Sequence, residues 1–124
     1  MIFGTGIDII EVERIENQIS KSNGFKEKIF TEREIDYCES KKNKAQNYAV
    51  RFSAKEAFFK AIGTGWRGGL AFNEIEILNN KLGKPEIFLH GNTKKFIEKK
   101  KITSIHVSLS HIKSFANAVV IIEK

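Results

Sequence analysis

The chain of 124 residues has one cysteine, one proline and, among its 21 basic residues, only four arginines. It has no low-complexity tract, no internal repeat and no apolar run near the roughly 18 residues that a membrane-crossing helix needs. Cys38 cannot close a disulfide within the chain, and no Cys/His spacing fits a zinc site. A reduced, partly buried thiol is expected there. The opening stretch Met1-Ile2-Phe3-Gly4-Thr5-Gly6 has neither the basic start nor the small-residue cleavage site of a signal peptide, so the expected location is the cytoplasm. No Pro-, Gly- or Ser-rich linker divides the chain, and its length predicts a single domain, 1–124.

What is present suits a folded, basic protein. Hydrophobic residues make up 41% of the chain, ten of them Phe, which is enough apolar surface to offset the chain entropy of folding. The net charge of +6 points to an anionic partner: nucleic acid, acidic protein, phosphorylated cofactor or membrane surface. Lysine supplies most of it, and lysine is poorer than arginine at bidentate base readout. The clusters Lys41-Lys42-Asn43-Lys44 and Lys94-Lys95 to Lys99-Lys100-Lys101 read as a solvated loop and a solvated helix face.

Periodicity sets the expected elements. Ile2 to Ile10 reads as a strand with Phe3, Thr5, Ile7 and Ile9 on one face and Gly4, Gly6 and Asp8 on the other. Val12, Ile15 and Ile19 have helical spacing, Arg14, Gln18 and Lys21 line a different face, and Gly24 is expected to end that helix. Thr31 and Glu34 have capping-box spacing for a short helix through Tyr37 and Cys38. The strongest helix runs from about Ala45 to Ile62 and stops at Gly63-Thr64-Gly65, after which Trp66-Arg67-Gly68-Gly69 reads as a loop. Ile75 and Ile77 predict a strand that turns through Asn79–Gly83 into a second beginning at Pro85, where a missing donor is tolerated. Asn92 is a candidate cap for a helix carrying Phe96 and Ile97. Ile105 to Ser110 alternates, and Phe115 to Ile122 is nearly unbroken apolar sequence, expected to be central and covered on both faces. The order βααα-ββ-α-ββ predicts an α+β domain with an antiparallel sheet and a long central helix.

Three places break the burial pattern. Asp8 is a carboxylate inside an apolar strand, with Gly4 and Gly6 clearing space on its own face; its alternative reading is a strand-end group that faces water or caps the next helix. Glu56 falls among Ala49, Phe52, Phe59 and Gly63 on the long helix, and Lys60 one turn on, or Lys55, offers it a pairing partner. Two carboxylates from separate elements plus a lysine suit Mg²⁺ bound to phosphate oxygens, because Mg²⁺ takes hard oxygen ligands and only one or two carboxylates. Ser108, Ser110 and His111 form a polar row at a strand end. No nucleophile elbow surrounds either serine, so an anion site fits better than hydrolase chemistry. Gly63-Thr64-Gly65 lacks the spacing of a Walker loop and follows a helix instead of a strand.

In order along the chain stand Gly6-Ile7-Asp8-Ile9 with Arg14-Ile15, Phe30-Thr31-x-x-Glu34-x-x-Tyr37, Arg51-Phe52-Ser53-Ala54-Lys55-Glu56-Ala57-x-x-Lys60-Ala61-x-Gly63-Thr64-Gly65, Gly83-Lys84-Pro85 and Ser108-Leu109-Ser110-His111. This series resembles the holo-[acyl carrier protein] synthases of the 4′-phosphopantetheinyl transferase family, over essentially the whole chain. Ser53 stands where alanine is common, and Trp66-Arg67-Gly68-Gly69 is a less familiar continuation.

The resemblance implies transfer of 4′-phosphopantetheine from coenzyme A to a serine of apo acyl carrier protein in fatty acid biosynthesis, releasing adenosine 3′,5′-bisphosphate. By that likeness Asp8 and Glu56 hold Mg²⁺, Lys60 contacts the phosphates and assists the leaving group, and Gly65, Lys84, Pro85, Ser110 and His111 line the coenzyme A site. Arg14 and Lys21 would dock the acidic carrier protein, and the assembly would be a homotrimer with sites at subunit interfaces. The nucleophile then belongs to the partner, and the base is open between Glu56 and a water molecule held by the metal. A non-catalytic basic module that binds RNA or an acidic protein is the alternative from a different class.

Overall fold

The computed structural model describes residues 1–65 and 68–124; Trp66 and Arg67 of the expected loop lie outside them. The elements run β1 (Ile2–Glu11), α1 (Val12–Ser20), α2 (Phe25–Ile29), α3 (Glu32–Glu39), α4 (Lys44–Ile62), a 3₁₀ turn at Phe72–Glu74, β2 (Ile75–Asn79), β3 (Pro85–Leu89), α5 (Gly91–Lys99), β4 (Ser104–His111) and β5 (Phe115–Glu123). Three strands pair antiparallel in the order β1-β5-β4, and β2-β3 form a separate hairpin. The fold is therefore α+β, as expected, with α4 packed across β1 and β5.

The glycine face of β1 is the one turned inward. Gly4 and Gly6 meet α4 so closely that a Cβ on either would fall on the carbonyl oxygen of Ala61 or Ala57. Helix backbone thus rests on strand backbone, and Asp8 shares that face by the two-residue pleat. The opposite face leaves Ile7 and Ile9 64% and 66% exposed. Likewise β5 is the central strand, but only Ala116, Ala118, Val120 and Ile122 are buried; on its second face Asn117, Val119 and Ile121 are half-buried among the described residues.

Helix α4 is the hub. Between Tyr48 and Ile62 every residue is buried except Phe52, Glu56 and Lys60, which form one line at four-residue spacing. Gly63 ends the helix in the left-handed region at φ 80° and returns its N–H to the Phe59 and Lys60 carbonyls. Thr31 and Glu34 close the capping box of α3. Two local expectations fail. Gly24 does not end α1, which stops at Ser20; it is the residue before α2, a five-residue helix without a readable period. Asn92 is not the cap of α5, which begins after His90; the Asn92 and Thr93 N–H groups instead donate to the Glu74 carboxylate at 2.9 and 3.2 Å. Cys38 is fully buried, and the apolar surroundings push its thiol up to about 12.

Two buried carboxylates pin these elements together. Glu34 accepts from the Lys55 ammonium at 2.7 Å and from the Ile77 N–H at 2.9 Å, and Lys55 also donates to the carbonyls of Phe72 and Ile75. Lys55 therefore turns into the core and is no partner for its neighbour Glu56. Glu76 takes the Arg33 guanidinium, the Thr31 hydroxyl and His90 Nε2. Burial alone would raise its proton affinity, but these donors outweigh burial and hold it below the ordinary carboxylate value. Its contribution to stability is then complete above the ordinary range and is lost as the pH falls through and below about 4. The expected result is a urea midpoint that falls steeply in wild type between pH 6 and 3 and less steeply in Glu76→Gln; parallel curves would contradict it.

Candidate metal and phosphate site

Asp8 lies midway along β1 opposite Ala118, with its side chain 16% exposed. Two donors from α4 reach it. The Ser53 hydroxyl lies 3.1 Å from Oδ2 and 2.9 Å from the Asp8 carbonyl oxygen. The Lys60 ammonium lies 3.3 Å from Oδ1 and 2.9 Å from the Ile7 carbonyl. One turn before Lys60, Glu56 is half-buried, and its proton affinity is raised, first by burial and then by the negative charge of Asp8, against the opposing charge of Lys60. The two carboxylates thus feel one another across the β1–α4 contact.

Chemically the pair is a candidate for holding a cation. Two hard oxygen ligands of like charge in a partly dehydrated place favour a divalent cation over a second bound proton. Among the described residues, no cluster of three His, Cys, Asp or Glu side chains could hold a metal. Mg²⁺ bound to phosphates takes only one or two carboxylates and fills its other positions with water and phosphate oxygens. Lys60, more than half exposed, is a positive charge beside Asp8. The pocket at this point, about 420 Å³, is lined by Ile7, Asp8, Ile9, Lys60 and Asn117.

The other expected site residues are distributed around this centre. Arg14 and Lys21 line a groove of about 390 Å³ with Ile10, Ile15, Phe25 and Phe52, and Phe52 is one helical turn from Glu56. Ser110 and His111 line a smaller pocket of about 190 Å³ that shares Ile9 and Asn117 with the Asp8 pocket. The pleat sets Ser110 beside Asn117, on the sheet face away from α4. Lys84 is exposed at the hairpin turn, and Pro85 pairs with Asn79, whose Oδ1 accepts from the buried Arg51 guanidinium at 2.7 Å. Gly65 follows the α4 cap with φ 63°. The structure pairs Lys60 with Asp8 and places Glu56 where the charge of Asp8 acts on it; Glu56, like Gly65, Lys84, Pro85, Ser110 and His111, is not among the residues that line the Asp8 pocket.

Two residues of this region escaped sequence reasoning as contributors. Asn117 is the single polar interruption of Phe115–Ile122, a signal present but outweighed by the apolar run. Ser53 is invisible without the fold, because its partner is 45 residues away. Among the described residues, the geometry of a serine hydrolase triad is not met. The serine–histidine contact, Ser104 with His106 at 3.4 Å, uses the same Nε2 that Glu123 engages, so the carboxylate and the serine compete for one nitrogen.

Comparison with known proteins agrees along the whole chain. The family model for the 4′-phosphopantetheinyl transferase superfamily matches residues 4–120. A holo-[acyl-carrier-protein] synthase of Geotalea daltonii is 44% identical over 100% of both chains, and one of Ruminiclostridium cellulolyticum is 50% identical over 98% of this chain and 91% of its own. Among solved structures, the holo-[acyl-carrier-protein] synthase from Neisseria meningitidis has a TM-score of 0.92 at 37% identity, covering 100% of both chains. The enzyme from Bacillus anthracis, solved in complex with CoA (3′,5′-ADP), has a TM-score of 0.83 at 39% identity, covering 100% of this chain and 98% of that one.

Proposed function

The chain belongs to the 4′-phosphopantetheinyl transferase superfamily, and from that premise we propose that it transfers 4′-phosphopantetheine from coenzyme A to a serine hydroxyl of an apo acyl carrier protein, in the cytoplasm and in fatty acid biosynthesis. The observation that carries the reading is the convergence of Asp8, Glu56 and Lys60 from β1 and α4. The donor set fits Mg²⁺, and Asp8 and Glu56 would hold it. When bound, the cation would neutralise the pyrophosphate and the charge that develops as its bridging oxygen departs.

The chain's own residues then have distinct tasks. Lys60, a point charge on a flexible stem, leaves Asp8 Oδ1 for a phosphate oxygen and stabilises the departing bisphosphate. Asp8 and Glu56, on elements locked by the Gly6–Ala57 approach, keep their separation while ligand enters. The nucleophile arrives on the carrier. Arg14 and Lys21 give the groove beside Phe52, one helical turn from Glu56, a positive rim that suits an acidic carrier. Ser110, His111, Lys84, Pro85 and Gly65 are proposed to contact coenzyme A. Exposed Ile7 and Ile9 on one sheet face support contact between copies of the chain, and the homotrimer is the assembly that the family resemblance implies.

The test is to incubate the protein with coenzyme A, Mg²⁺ and an apo carrier protein and to weigh the carrier. A gain of one phosphopantetheine that requires Mg²⁺ is expected. No gain, with RNA or acidic protein bound instead, would favour the non-catalytic basic module. For docking, Arg14→Glu is expected to raise KM for the carrier about tenfold at low salt and less at high salt, leaving KM for coenzyme A unchanged. Equal changes in both constants would contradict docking on α1.

A further inference from the structure

We infer that Ser53 is a positioning residue for the cation site: its hydroxyl fixes the rotamer of Asp8 and the registry of β1 on α4, so that both carboxylates stand ready before metal arrives. The inference rests on the proposed metal role of Asp8 and Glu56 and concerns a residue that neither ligates nor reacts.

The geometry supports it in three ways. Ser53 is fully buried, so its single hydroxyl proton has no water to turn to. That proton is shared between two acceptors of the same residue, the Asp8 carbonyl at 2.9 Å and Oδ2 at 3.1 Å. One donor therefore holds both the strand backbone and the carboxylate plane. Second, the remaining donor to Asp8 is temporary. Lys60 holds Oδ1 from a side chain that is more than half exposed, and its ammonium is drawn to any phosphate that enters. Ser53 alone keeps the carboxylate oriented once Lys60 has moved, and it leaves Oδ1 for the cation. Third, Ser53 lies three residues before Glu56 on the same helix. A bond from Ser53 to Asp8 therefore sets the spacing of the two ligands, which stand on different elements. Groups that orient a metal ligand in this way are typically worth about 10–100-fold in metal affinity.

The test measures metal directly. Mn²⁺ is titrated by electron paramagnetic resonance into wild type, Ser53→Ala, Ser53→Cys and Cys38→Ala, each with coenzyme A present. Ser53→Ala is expected to weaken Mn²⁺ binding about tenfold or more and to raise the Mg²⁺ concentration needed for half-maximal transfer, with KM for the carrier unchanged. Ser53→Cys keeps the volume with a weaker donor and should fall between the two; it stands in for the alanine protein if that one does not fold. Cys38→Ala removes a buried side chain away from the site and should bind Mn²⁺ as wild type does. Wild-type Mn²⁺ affinity in both Ser53 variants would overturn the inference, as would an equal loss in Cys38→Ala, which would mark a general effect of destabilisation. If wild type itself neither binds Mn²⁺ with coenzyme A nor modifies the carrier, the proposed function fails first.

Discussion

Alanine at Asp8 or at Glu56 is expected to lower Mg²⁺-dependent transfer about a thousandfold, equivalent to about 4 kcal/mol of barrier. Each carboxylate is half of one protein grip on the cation, so the double variant should be little worse than either single one. The fold should survive. Burial, and after it the like charge of Asp8, raises the proton affinity of Glu56, so its ionised form opposes folding at neutral pH. Glu56→Gln is therefore expected to unfold at an equal or higher temperature than wild type in metal-free buffer, while being inactive. Checking both properties on one preparation separates a role in chemistry from a role in structure. Additive losses of activity would show that the two carboxylates act independently, and a large fall in melting temperature would show that they are structural.

The opposite pattern is expected at Lys55. Its ammonium and the Glu34 carboxylate are both fully buried, and burial weakens Lys55's hold on its proton against the stabilising charge of Glu34. Lys55→Met strands Glu34 without its cation and leaves the carbonyls of Phe72 and Ile75 without this donor. Breaking such a pair from one side costs about 3–5 kcal/mol, enough to lower the melting temperature by about 10 °C or more. Adding Glu34→Leu should restore only part of this, because the Ile77 and Thr31 N–H groups lose their acceptor. Urea unfolding of the single and double variants measures the coupling. A Lys55→Met protein as stable as wild type would contradict the assignment, and so would full recovery in the double variant.

Whatever depended on neighbours in sequence was legible. The capping box at Thr31 and Glu34, the stop of α4 at Gly63 and the start of β3 at Pro85 are set by chemistry within a few residues, and all three stand where the sequence places them. Partners from distant segments were not legible. Asn92 looked like a cap, yet the α5 N-terminus takes its acceptor from Glu74, 18 residues earlier. Lys55 was a plausible partner for Glu56 until the fold brought Glu34 beneath it. The same holds for β1, where alternation separates the two faces but cannot say which one a helix covers; the glycine face is inside because only glycine admits the α4 backbone. For the candidate site, residue types and their order point to Asp8, Glu56 and Lys60. The support of Asp8 by Ser53 needed the three-dimensional contact.

The most direct measurement is a crystal structure of the protein grown with coenzyme A and Mg²⁺. The expected result is one ion about 2.1 Å from an oxygen of Asp8, an oxygen of Glu56 and the pyrophosphate, with the Lys60 ammonium on a phosphate oxygen. An ion seated on the nucleotide without either carboxylate, or Asp8 and Glu56 turned to separate places, would contradict it.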